Sequence, residues 1–195
     1  MARRRRENSQ RVADAAVESR AQTQRLYSLI PAPPADPEVL QRPPVTVRSD
    51  RGLTVGSQIW AQQECWELVE RRDSLDDAAQ RPAFLCAALA QPRARIVAGS
   101  YESWLYEPDL LDLDRAVVDV HADETPSTRT IRAAIRVALH GGSAVEANLE
   151  GDALRVLAQA IRGLEITSGL SPALVELAGN LNQHFEDLKP KAVRY

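Results

Sequence analysis

Carboxylates are the first residues of this sequence whose type and spacing suggest chemistry. Glu107, Asp109, Asp112 and Asp114 crowd one short stretch, and Asp119, His121, Asp123 and Glu124 follow it. Oxygen donors at that density suit a hard divalent cation such as Mg²⁺, which would support phosphodiester chemistry with phosphate completing its shell. The spacing argues otherwise. On a helical wheel Leu110, Leu113, Val117 and Val120 take the buried side and Asp112 and Asp119 share a face, whereas Asp109, Asp114 and Asp123 scatter. The segment therefore reads as a solvated acidic face, and a metal-dependent enzyme using Asp112, Asp114 and Asp119 stands a distant third among the functional readings.

The other candidates for chemistry are weaker still. His121, His140 and His184 are far apart and form no His pair at i, i+4, while His140 before Gly141 suits a helix C-terminus, where an imidazolium meets the dipole. Cys65 and Cys86 lack CxxC spacing and sit among apolar neighbours, so both read as reduced, buried hydrophobes. Ser57 and Ser100 each follow a glycine but lack the second glycine of a nucleophile elbow. Neither glycine-rich phosphate loop is present. The sequence thus assigns no catalytic, cofactor-binding or metal-binding residue, and the chain is expected to be non-enzymatic.

Binding remains. Residues 1–30 hold seven Arg against three acids, whereas residues 58–125 hold six Arg against fourteen acids. The chain is therefore polarised: a cationic leader, an acidic middle and a near-neutral C-terminal part. Arg3, Arg4, Arg5 and Arg6, with Arg11 close behind, cannot be buried unpaired and must face solvent or a partner. An acidic protein surface or a phosphate backbone would serve. No second basic stripe appears in the body, and Tyr27 is the one aromatic near the leader, which weakens the nucleic-acid reading. Three tryptophans, Trp60, Trp66 and Trp104, are available for a core or an interface. Trp66 fits a core face, and Trp60 lies off it, so Trp60 joins the five arginines as a candidate partner-binding residue.

The elements that would position these residues read as helices. Residues 1–30 read as a basic leader and one N-terminal helix, and residues 31–57, with half of the chain's twelve prolines, as an extended arm. Val45-Thr46-Val47 has strand composition, yet no partner strand stands out. The body is expected over residues 58–195. Helices are predicted over Gln58 to Arg72, from Ser74, over Ala83 to Ala90 as the central buried helix, over Ala94 to Tyr106, and over Leu110 to Val120. Further helices open at Thr125-Pro126, at Ser143 and at Ser171-Pro172. The expected fold is all-α: a bundle of about six or seven helices behind an N-terminal helix and a proline-rich arm.

Length and composition set the frame. With 195 residues, 44% hydrophobic and 26% charged, the chain suits one domain or two small ones and excludes wholesale disorder and a disulfide scaffold. The longest apolar run, Ala83 to Ala90, is far short of the roughly 20 residues that span a bilayer. The basic start lacks the apolar stretch of a secretion signal, so a cytoplasmic location is expected. The functional expectation is a non-catalytic assembly or adaptor subunit that uses its basic arm and helical body for protein contacts. The alternative is a nucleic-acid-binding protein whose arm lies on phosphates.

Overall fold

A computed structural model describes residues 24–32, 42–72, 82–88, 90–120, 125–141 and 144–189. The architecture is mixed α/β, with eight strands in two sheets and four helices among these residues. The all-α expectation is overturned. The strands are β1 (Arg25–Pro31), β2 (Val45–Ser49), β3 (Gln58–Ala61), β4 (Glu64–Arg72), β5 (Ala83–Ala88), β6 (Ala94–Ala98), β7 (Tyr101–Leu105) and β8 (Val145–Asn148). The helices are α1 (Glu107–Val120), α2 (Pro126–His140), α3 (Asp152–Thr167) and α4 (Pro172–Asp187). Strand order is β2-β1-β5-β4-β3 in one sheet and β7-β6-β8 in the other. No helix among the described residues is long and apolar enough to cross a membrane.

The described residues divide into two compact units, those within 1–57 and 67–88, and those within 58–66 and 89–195. In the first, β1 pairs antiparallel with β2 and parallel with β5. Alternate residues of β1 turn inward, so Tyr27, Leu29 and Pro31 are buried while Leu26, Ser28 and Ile30 between them are half-buried. Tyr27 packs on Phe84 with ring centroids 6.0 Å apart, and its hydroxyl accepts the Leu53 N–H at 3.3 Å. The end of the expected N-terminal helix is thus a strand, β1, and it gives Val45-Thr46-Val47 the partner that the sequence did not reveal. Ala83 to Ala88 is a strand because a short apolar run fits a strand paired on both edges as well as a buried helix. Burial pushes the Cys86 thiol up to about 11, so it stays protonated at neutral pH.

In the second unit β6 and β7 form a hairpin, with Ala98 opposite Tyr101 and Gly99-Ser100 as the turn. Period-two alternation sends Ala94, Ile96, Ala98, Ser103 and Leu105 inward, which leaves Arg95, Glu102 and Trp104 on the other face. The helix expected over Ala94 to Tyr106 is this hairpin. Gln58 to Arg72 likewise turns back on itself at Gln62 and Gln63, both with positive φ, instead of running as one helix. β8 pairs parallel with β6 in place of the first turn of a helix from Ser143, and α3 starts at Asp152. Helices α1, α2 and α4 stand where the sequence puts them. Thr125 and Ser171 cap α2 and α4 through their side chains, and each helix has proline in its first turn. Leu105, Leu110, Leu113, Val117, Ile131, Leu157, Leu174 and Leu181 belong to one apolar cluster in this unit. Truncating any of these leucines to alanine costs about 2–5 kcal/mol.

Candidate functional site

The site is built around a buried carboxylate. Asp109 lies in the first turn of α1 and is 1% exposed. Its Oδ2 accepts the Tyr106 backbone N–H at 2.9 Å, the reach-back of a capping box. Its Oδ1 accepts the Trp60 indole N–H at 2.8 Å and the Ser171 hydroxyl at 2.6 Å. Ser171 in turn accepts the Leu174 N–H as the N-cap of α4. One side chain therefore ties together β3, the start of α1 and the start of α4. Burial raises the pKa of Asp109, and the hydrogen bonds from Ser171, Tyr106 and Trp60 oppose that rise.

Gln58 makes the matching connection beside it. Its Nε2 donates to the Gln91 carbonyl at 2.9 Å, and its Oε1 accepts the Glu107 N–H at 3.0 Å. The Gln58 side chain is fully buried, so both ends of the amide are used where water cannot replace them.

These bonds fix the rings above them. Trp60 and Tyr106 meet edge to face, with centroids 5.2 Å apart and planes at 81°. Together with Trp104, Pro92, Pro172 and Glu176 they line a cleft of about 780 Å³. Trp104 is 43% exposed, and the Arg95 guanidinium lies 5.8 Å from its ring centroid. Arg95 also pairs with Glu102 and Glu146 on the neighbouring strands. A second hollow of about 640 Å³ adjoins Trp60, walled by Gln62, Gln63, Leu170 and Val175. Burial raises the Tyr106 phenol above its ordinary value, and the nearby Cys65, Asp109 and Glu176 raise it further. The cleft therefore offers three aromatic faces, two pyrrolidine rings and a carboxylate.

Of the residues that the sequence nominated for binding, Trp60 is in this cleft. Arg3, Arg4, Arg5, Arg6 and Arg11 lie outside the described residues, as do His121, Asp123 and Glu124. Asp114 is held by Arg132 at 3.0 Å, and Asp119 is exposed. No group of three or more His, Cys, Asp or Glu among the described residues is placed to hold a metal ion. His140 sits in the last turn of α2, and His184 packs against Gly99. Cys65 and Cys86 are free and buried.

Trp104, Tyr106 and Glu176 escape a helical reading because they share no face of any one helix. The tyrosine-to-aspartate spacing of Tyr106 and Asp109 was the available signal, since an acid three residues after a helix-entry position is a capping pattern. No protein-family model, curated protein or solved structure matches the chain.

Proposed function

We propose that the chain is a non-catalytic assembly or adaptor subunit whose second unit receives a segment of a protein partner in the cleft around Trp60. The single observation that carries this reading is the convergence of Trp60, Trp104 and Tyr106 on one open cleft of about 780 Å³. Aromatic side chains that are held rigid yet left accessible supply large contact area at little entropic cost, and such residues dominate interface energetics. Trp60 is held in this way by Asp109. The two free cysteines suit a reducing, cytoplasmic setting for such a subunit.

The test is panning of a displayed peptide library against the full chain, with Trp104→Ala as the comparison. Trp104 faces away from the core, so the substitution should leave the thermal unfolding curve in place. Peptides that bind the parent and are lost by the variant support the reading. A library that yields none removes it.

A further inference from the structure

Resting on that reading, we propose that the occupant of the cleft is an extended segment of a partner protein in which arginine and proline recur on one face of a polyproline-II helix. The lining argues for this chemistry. Trp60 and Tyr106 stand perpendicular at 5.2 Å and give two walls of a corner, and Trp104 presents a third ring beside it. Pyrrolidine rings dock well in aromatic-lined grooves, because proline's φ is already fixed and little freedom is lost on binding.

Charge selects the second residue type. Among the described residues that line the cleft, Glu176 is the charged one. A guanidinium is complementary to that setting, since its plane stacks on an indole while its fork pairs with a carboxylate. Arg95 already does both within this unit, lying over Trp104 and pairing with Glu102 and Glu146. In polyproline II, with three residues per turn and a rise of about 3.1 Å, arginine and proline spaced by threes project to the same side. A segment of glutamate and proline would meet the same rings but would be repelled by Glu176.

The full chain should be titrated by calorimetry with two synthetic peptides, one a repeat of Arg-Pro-Pro and the other a repeat of Glu-Pro-Pro. The first should bind and the second should not. Trp104→Ala and Glu176→Gln should each weaken the first by about tenfold or more, with unchanged circular dichroism. Equal binding of both peptides, absence of binding, or binding that Trp104→Ala leaves intact overturns the assignment. The broader reading survives that failure if the displayed library still returns a Trp104-dependent peptide of another composition, and falls if it does not. The chain carries its own Arg42-Pro43-Pro44, so sedimentation must accompany the titration. Self-association that Trp104→Ala abolishes would make a second copy the occupant and overturn the proposal of a separate partner.

Discussion

At Asp109 three donors converge on a carboxylate that water does not reach. Asp109→Ala strands the indole N–H of Trp60 and the hydroxyl of Ser171, and should cost about 2–4 kcal/mol in urea unfolding. The pH dependence has a definite sign. Burial lifts the folded-state pKa above the ordinary 3.8, so the folded chain takes up this proton more readily than the unfolded chain. The titration of Asp109 therefore adds stability that is complete below the ordinary value and is lost as pH rises through the folded one. The difference in unfolding free energy between the parent and Asp109→Asn should fall across that window, and a difference that grows with pH refutes the assignment. Gly99 poses a separate steric problem. Its φ is +63°, and an added Cβ would lie 2.7 Å from Nδ1 of His184. Gly99→Ala should cost about 1–3 kcal/mol in thermal unfolding, and a His184→Ala background should return the steric part of that cost while leaving the backbone part.

The turn between β3 and β4 shows the same economy at the scale of elements. Gln62 and Gln63 adopt φ of 52° and 66°, the pair of left-handed conformations that a two-residue hairpin turn requires and that Asn-Gly adopts with least strain. Replacing Gln62-Gln63 with Asn-Gly should raise stability by about 1 kcal/mol; an unchanged or lowered midpoint in urea would show that the glutamines are held by contacts and not strained. This turn also explains why much of the fold was illegible in the sequence. Gln-Gln carries no turn signal, so nothing in the sequence divides Gln58 to Arg72 into two strands. Gly99-Ser100 is a turn signal and Ala94, Ile96 and Ala98 alternate, but Val97, Tyr101 and Trp104 also fall at helical spacing, so the pattern over Ala94 to Tyr106 fits either element. The C-terminal helices were legible because Thr125-Pro126 and Ser171-Pro172 combine a capping side chain with a first-turn proline. The cleft was not legible beyond Trp60, because its walls come from β3, β7, α4 and the loops between, and only tertiary structure brings them together.

Over the whole molecule the charge is separated along the chain, and that separation makes two contacts independently testable. The net charge is −3, so at long range the body repels phosphate, and any attraction to nucleic acid must come from the leader with its Arg3 to Arg6 run. Four arginines neutralising four phosphates give a logarithmic salt slope of roughly −3.6. Binding of the full chain to duplex DNA, followed by fluorescence anisotropy from low to physiological salt, should therefore be weak, show a slope no steeper than this, and vanish when Arg3 to Arg6 are replaced by alanine. Trp104→Ala should leave it unchanged, because the cleft takes its charge from Glu176 and has no cation among its described lining residues. A slope clearly steeper than the roughly −6.3 that all seven arginines of residues 1–30 could give would require a second basic surface contributed by the body. Loss of DNA binding on Trp104→Ala would place bases on the aromatic rings. Either outcome would shift the proposed function from protein contact to nucleic-acid binding.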